Sequence, residues 1–250
     1  KQDPVLATTV LKVVNSSFYG LAEEVSSIRL ALVILGLNEI KKLIYSLSVI
    51  RIFPIKTGET DFDYERFWMH AAITGRLAES IATRCRFPHG SYAFLAGLLH
   101  DLGQMVFLEY IDEDYSKIYN NARAEQIESW KIEEEAYGFH HGHVGGWLAE
   151  QWKLPEALQS VLIHHVMPQD SERHQALVGV IGLIDNMLRI WEDSGKSMDF
   201  EEIRHHESIQ ALIDDIPDLQ ENPCSLLDED LPTQMKIALE FVNLSKQSLN

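Results

Sequence analysis

The sequence contains little cysteine and no long apolar run. Its two cysteines, Cys85 and Cys224, lie far apart and form no disulfide framework, which favours a reducing compartment such as the cytoplasm. No apolar stretch approaches the roughly 20 residues that a membrane-spanning helix needs, so no membrane span is expected. The first residues, KQDPVLATTV, resemble neither a signal peptide nor a natural start, so we expect the chain to be part of a longer protein.

Basic residues are also scarce. Lys and Arg number 21 against 38 Asp and Glu, which gives a formal net charge of -17 at pH 7. Such a charge opposes general attraction to nucleic acid and to anionic lipid surfaces. We therefore expect neither nucleic acid nor a membrane as a partner.

Alternating runs of β-branched residues are nearly absent, and the apolar residues recur at helical spacing instead. This pattern predicts an all-α protein, with Ser26 or Ser27 as the cap of the second helix. The predicted helices lie within 3–17, 26–53, 63–85, 91–111, 125–137, 143–153, 155–166, 175–191 and 231–246.

A polar turn with Pro and Gly, PIKTGETD at 54–61, separates the first helices from the rest. It predicts an N-terminal helical subdomain over 1–55 and a second helical domain over 56–191. Beyond residue 191 the composition becomes acidic and polar, which predicts a C-terminal helical extension over 192–250.

Ionisable side chains occur on apolar helix faces, beginning with the doublet His100-Asp101 inside GLLHDLGQ. Burying such a group without a partner costs several kcal/mol, so each needs a hydrogen bond, an opposite charge or a metal ion. Taken singly, an inward histidine is usually an ordinary hydrogen-bonded core residue. Taken together, the phase of the apolar stripes predicts one shared site formed by His70, His100, Asp101, His141, His164, His165 and Asp185.

The order of these residues resembles the H, HD and D pattern of the HD-domain metal-dependent phosphohydrolase superfamily. Residues 1 to 190 are similar to its HDOD branch, a signal-transduction output domain in bacteria. The stretches that carry the resemblance are DPVLATTVLKVVNSSFYG at 3–20, GLLHDLG at 97–103, HHGHVGGWLAEQWKLP at 140–155, and the doublet at 164–165 with Pro168. The resemblance implies an HD-like helical core with an N-terminal helical subdomain.

The related HD-GYP branch binds two or three metal ions and hydrolyses a cyclic dinucleotide, and its ligands match the seven residues above. Three features depart from that branch. No GYP signature follows HHVMPQD, Gln104 stands in place of the usual lysine, and Arg66 stands in place of a glutamate. The resemblance therefore implies a signalling domain with a metal site and a phosphohydrolase activity that is weak or of unknown substrate.

In the catalytic hypothesis, the site holds one or two divalent ions, which Asp101 bridges, and Asp101 is the residue on which catalysis depends. The nitrogen-rich ligand set favours iron, manganese or zinc over magnesium, and the substrate is a phosphoester or nucleotide. The first ion is assigned to His70, His100 and Asp185, and the second to His141, His164 and His165.

The alternative hypothesis is a non-enzymatic interaction module that presents a helical surface to a signalling partner such as a kinase or response regulator. The inward residues then satisfy one another through hydrogen bonds. His140 and His143 flank His141 and are either further ligands or surface histidines. Trp147 and Trp152 either wall the site and exclude water or are ordinary packing residues.

Overall fold

The computed structural model of the chain describes residues 3–56, 61–86, 88–111, 114–125, 127–194 and 231–247. These residues form eleven α-helices and no β-strand, so the all-α prediction is confirmed. In chain order the helices are α1 Pro4–Val14, α2 Ile28–Ile52, α3 Tyr64–Cys85, α4 Ala93–Leu99, α5 Leu102–Val106, α6 Tyr115–Ala124, α7 Ser129–Tyr137, α8 His141–Gln151, α9 Glu156–His164, α10 Gln175–Ser194 and α11 Leu231–Gln247.

The first two helices begin where their capping residues stand. The side chain of Asp3 accepts hydrogen bonds from the backbone N–H groups of Val5 and Leu6, each at 3.1 Å. Ser27, one of the two predicted caps, accepts from Leu30 N at 3.2 Å. Both contacts satisfy amide groups that the first turn of a helix leaves without partners.

Contacts between residues divide the chain into two units, one formed by 1–73 with 232–250 and the other by 74–231. In the first unit, Trp68 is fully buried and donates its Nε1–H to the carbonyl of Phe53 at 3.2 Å. The rings of Phe18 and Phe241 lie 5.1 Å apart, which packs the last helix against the segment after α1. The predicted domain bounds, 1–55, 56–191 and 192–250, stay a prediction.

The second unit carries most of the predicted site residues, which lie between α4 and α5, on α8 and α10, and at the end of α9. Close backbone packing between α3 and α4 depends on two glycines, since a Cβ on Gly97 would lie 2.4 Å from Gly75 N. No described helix combines the length and the apolar character needed to cross a bilayer. Cys85 forms no disulfide with another described residue, and Cys224 lies outside the described residues.

The apolar segment 91–111 differs from the single helix that its stripe predicts. A 3-10 turn at Gly90–Tyr92 leads into α4, α5 follows after a break, and a π turn covers Phe107–Ile111. The break falls at Asp101, whose φ of -91° and ψ of 11° leave the helical range. A two-residue interruption thus places the His100-Asp101 doublet between two helices rather than along one.

Candidate metal centre

The carboxylate of Asp101 lies at the centre of the candidate site. Its Oδ1 atom is 3.3 Å from the Nε2 atoms of both His141 and His165. Its Oδ2 atom is 3.3 Å from Nε2 of His100. The two oxygens of one side chain therefore face different histidines, as a carboxylate that bridges two ions would.

His100 is fully buried and its ring is fixed by its own helix. Its Nδ1 lies 2.7 Å from the carbonyl oxygen of Gly97, and because a carbonyl only accepts, Nδ1 carries the proton. The Nε2 atom faces Asp101 and lies 3.7 Å from Oδ1 of Asp185 on α10. Ligand atoms of these three residues lie within 4.8 Å of one another, as a single ion requires.

His141 and His165 form the other side of the site, with their Nε2 atoms 3.2 Å apart. Nδ1 of His165 donates to the carbonyl of Val161 at 3.1 Å. Nδ1 of His141 donates to the carboxylate of Glu133 at 2.7 Å. In all three rings the Nδ1 proton is engaged and Nε2 points toward Asp101, which is the arrangement that metal-binding histidines adopt.

Glu133 is a functional residue that the sequence reasoning missed. Its carboxylate is fully buried and accepts from the backbone N–H of His141 at 2.7 Å and from the hydroxyl of Tyr115 at 2.6 Å. It stands in IEEEAY, where consecutive glutamates are typical of a solvated helix face. The available signal was spacing, since Trp130 and Tyr137 place Glu133 on the aromatic side of α7.

Gly103 on α5 allows the start of α8 to pack closely against α5. A Cβ added to Gly103 would lie 1.9 Å from the carbonyl oxygen of His141 and 2.9 Å from the backbone nitrogen of Gly145. No side chain fits there, so the start of α8 packs directly on the backbone of α5. This contact brings His141 to Asp101, two residues before Gly103.

Burial and the neighbouring charges move the pKa values of the site in opposite directions. For His141, burial would lower the pKa, but the carboxylates of Glu133 and Asp101 raise it to about 10. The pKa of His100 is likewise raised, because the charges of Asp101 and Asp185 outweigh burial. The pKa of Asp101 lies well below its usual range despite burial, owing to these histidines. Burial lowers the pKa of His165.

These directions favour the protonated forms of His100 and His141 and the neutral form of His165 in the metal-free protein. His141 carries protons on both ring nitrogens, and its Nε2–H lies between Asp101 Oδ1 and Nε2 of His165. His165 stays neutral, with its Nε2 lone pair facing that proton. A proton therefore occupies the space between three ligand atoms, and an ion bound there displaces it.

The structure places the other predicted ligands differently. His70 is buried in α3 and belongs to the first unit, so its membership of the site stays a prediction. His164, at the end of α9, is partly exposed and lies outside the buried metal-competent groups of the described residues. The prediction that Trp147 walls the site is wrong, because its side chain is 59% exposed and points to solvent from α8.

A second histidine-carboxylate group lies beside the first and consists of Glu134, His140 and His143. Nδ1 of His140 accepts from Gly142 N at 3.1 Å, and Nδ1 of His143 accepts from His140 N at 3.3 Å. The two rings, 3.9 Å apart, thereby form the capping box of α8. Because both Nδ1 atoms are acceptors, the neutral rings carry their protons on Nε2 and offer no lone pair there.

The fold and the site now identify the class of protein. A comparison with known families matches residues 1–168, well over half of the 250-residue chain, to the HDOD domain. The chain belongs to the HDOD family.

One curated relative matches most of the chain. An uncharacterized protein of Treponema pallidum (strain Nichols) is 28% identical over 194 residues, which cover 75% of this chain and 36% of that protein. The chain thus spans about a third of that relative's length.

Two solved structures share the fold. An HDOD domain protein with unknown function from Geobacter sulfurreducens has a TM-score of 0.81 and 24% identity, and the match covers 96% of this chain and 83% of that one. A protein from Shewanella amazonensis SB2B, described as a candidate phosphohydrolase, has a TM-score of 0.72 and 22% identity, and the match covers 97% and 83%. At these identities the likeness shows the fold alone.

Proposed function

We propose that this HDOD domain is a cytoplasmic signal-transduction output domain of bacteria that binds divalent transition-metal ions at Asp101 and cleaves a phosphodiester slowly. The observation that carries the proposal is the division of the Asp101 carboxylate. One oxygen faces His100 and the other faces His141 and His165, each at 3.3 Å. This arrangement supports two neighbouring ion positions that share one bridging carboxylate.

The donor set supports iron, manganese or zinc. The first position has His100, Asp101 and Asp185, and the sequence adds His70 as its fourth ligand. The second has Asp101, His141 and His165, with His164 as the predicted addition. Imidazole nitrogens suit these metals, whereas magnesium favours oxygen ligands.

Bound ions would polarise the oxygens of a phosphate ester and lower the pKa of a water molecule. The residues of the chain hold the ligands in place for this. Backbone carbonyls fix His100 and His165, and Glu133 fixes His141, so that the three Nε2 atoms are directed before any ion binds. Burial of the same rings limits access of bulk water.

Substrate binding is the less supported part of the proposed enzyme. Gln104 is only 4% exposed and donates its amide to Ser129 at 3.3 Å, so it brings no positive charge to a phosphate. Orientation contributes as much to hydrolysis of a phosphodiester as activation of the nucleophile does. We therefore expect slow cleavage without strong preference for a cyclic dinucleotide.

A non-enzymatic interaction module for a kinase or response regulator is the second candidate function. Hydrogen bonding within the metal-free site favours it, because His141 donates to Glu133 on one side and lies between Asp101 and His165 on the other. Such a network satisfies buried charges without any ion.

Elemental analysis of protein purified without chelator, from cells supplied with iron, manganese and zinc, separates the two candidates. We expect at least one transition-metal ion per chain, lost in Asp101→Ala. The loaded protein should hydrolyse bis(p-nitrophenyl) phosphate slowly, with the activity abolished by the same variant, while cyclic di-GMP survives. Absence of stoichiometric metal would contradict the enzyme proposal and leave the module. Rapid turnover of cyclic di-GMP that depends on Asp101 would show that the protein binds and orients this substrate better than proposed.

A further inference from the structure

We infer that Glu133 is a positioning residue that holds His141 as a ligand for one of the two proposed ion positions and strengthens its donor nitrogen. The inference rests on the proposed metal-binding function. It concerns the affinity of the ion beside His141 and His165, and assigns Glu133 no contact with the ion itself.

The partners of the three histidines differ in charge. His100 and His165 donate their Nδ1 protons to neutral backbone carbonyls. His141 alone among these three donates to a carboxylate, at 2.7 Å. A negative partner withdraws the Nδ1 proton slightly and increases the electron density at Nε2, so the ring becomes a better ligand.

The carboxylate of Glu133 is itself held in one orientation. Oε2 accepts from both the ring and the backbone N–H of His141, and Oε1 accepts from the hydroxyl of Tyr115 at 2.6 Å. The Tyr115 ring is fully buried and stacks on Phe107 with ring centroids 5.1 Å apart. Three donors from the chain therefore fix the carboxylate, which leaves the imidazole of His141 little freedom to rotate.

A structural ion pair would not need this geometry. Pairing charges requires only proximity, whereas here one oxygen bonds two successive groups of the same residue, the ring and the backbone N–H. The ring plane is thereby tied to the first turn of α8, and Nε2 is directed to Asp101. This double contact is the feature that points to ligand orientation.

The test compares Glu133→Gln with Glu135→Gln. Glutamine keeps an oxygen that can accept from His141 but removes the charge, and Glu135 is an exposed residue of the same helix. Chelator-treated proteins are titrated with Zn²⁺ against a competing chromophoric chelator. We expect Glu133→Gln to weaken one of the two binding steps by about 10- to 100-fold and to leave the other unchanged, while Glu135→Gln matches the wild type.

A spectroscopic readout accompanies the titration. In Zn²⁺-loaded, ¹⁵N-labelled protein, the Nδ1 proton of His141 should resonate far downfield because its acceptor is a carboxylate. It should move upfield in Glu133→Gln and stay in place in Glu135→Gln. Tyr115→Phe keeps the stacked ring and removes a single donor. It should weaken the same step less than Glu133→Gln does, and it provides a second variant that perturbs folding little.

The outcomes are distinct. Equal Zn²⁺ affinities in the wild type, Glu133→Gln and Tyr115→Phe, with an unchanged Nδ1 proton, would overturn the inference and leave the proposed function intact. A lower melting temperature of the metal-free variants with unaltered Zn²⁺ affinity would assign Glu133 a merely structural role, which also overturns the inference. A wild type that binds no Zn²⁺ at all would reject the proposed function together with the inference.

Discussion

Two groups of histidines and carboxylates lie next to each other in the second unit, and they differ in what their ring nitrogens do. In the buried group around Asp101, each Nδ1 donates a proton and each Nε2 faces the carboxylate. In the outer group, the Nδ1 atoms of His140 and His143 accept from backbone N–H groups. Residue types and spacing are similar, yet among the described residues only the buried group directs its Nε2 atoms at one shared carboxylate, where an ion can displace the protons they carry.

The difference shows that the hydrogen bond on the far side of a histidine ring determines whether the near side can bind a metal. A backbone carbonyl or a carboxylate that accepts from Nδ1 leaves Nε2 as the nitrogen that can bind an ion, once any proton on it has been displaced. A backbone N–H at Nδ1 makes Nε2 a donor. The outer histidines therefore stabilise the start of α8, while the buried ones are prepared for an ion.

Metal removal should give the largest effect and should act only through the buried group. An ion present at 100 times its dissociation constant stabilises the folded state by about 2.7 kcal/mol, so a chelator should lower the melting temperature of metal-loaded wild type by several degrees. Asp101→Asn should melt at the same temperature with and without chelator. A chelator effect of equal size in this variant would place the ion elsewhere, and the comparison of the two groups would fail.

Among substitutions that add one methyl group near the site, Gly103→Ala should lower the stability of the protein most. The added Cβ would lie 1.9 Å from the His141 carbonyl, so α5 and α8 must separate. We expect a loss of about 1–3 kcal/mol in the free energy of unfolding, measured by denaturant titration, and weaker Zn²⁺ binding. Gly145→Ala is the matched control, since its Cβ would make only ordinary contacts at 3.5 Å or more. Equal effects of the two substitutions would contradict the close approach at Gly103.

The stability of the metal-free protein should depend on pH. The pKa of His141 rises from 6.5 to about 10 on folding. Its protonation therefore stabilises the folded state fully below pH 6.5, and this contribution is lost as the pH rises toward 10. The melting temperature of chelated protein should fall across this window, and Zn²⁺-loaded protein should change less because the ion replaces the proton. Parallel curves for the two forms would show that the ion does not compete with the His141 proton.

His143→Gln should have the smallest effect. Glutamine at this position of a capping box can contact the same backbone N–H, so the free energy of unfolding should change by less than about 0.5 kcal/mol. Metal content should equal that of the wild type, whereas His165→Gln should lower it. Loss of metal in His143→Gln, measured by elemental analysis, would show that the outer group binds an ion after all.

Helical periodicity was sufficient to predict the fold class and the burial of several candidate ligands. The apolar stripes correctly predicted burial of His70, His141, His165 and Asp185, since a helix fixes which residues share a face. The apolar stripes could not distinguish His164 from His165 at the end of α9. These adjacent residues differ by one step around the helix, and that step determines which ring lies in the core. Only the second of this doublet is buried.

The remaining errors have local physical causes. The interruption at Asp101 depends on one backbone ψ angle, and a continuous apolar stripe gives no sign of it. Glu133 escaped detection because its neighbours in sequence are also acidic and mask its spacing from Trp130 and Tyr137, and its bond to Tyr115 depends on tertiary packing. Proton positions on the rings of His140 and His143 follow from hydrogen-bond partners that no spacing rule contains.

The beginning of α8 has an electrostatic consequence of its own. His141 is the first residue of this helix, where the exposed N–H groups give the axis a partial positive charge, so a cationic ring is unfavourable there. An acidic residue in the first turn of a helix offsets that charge, and α8 has none. Glu133 supplies the acid from α7 through its bond to the His141 backbone N–H. The negative charge that balances the start of α8 therefore comes from α7. If α7 separated from α8, the partial positive charge at this helix end would lie beside the imidazolium of His141 with no carboxylate to offset it.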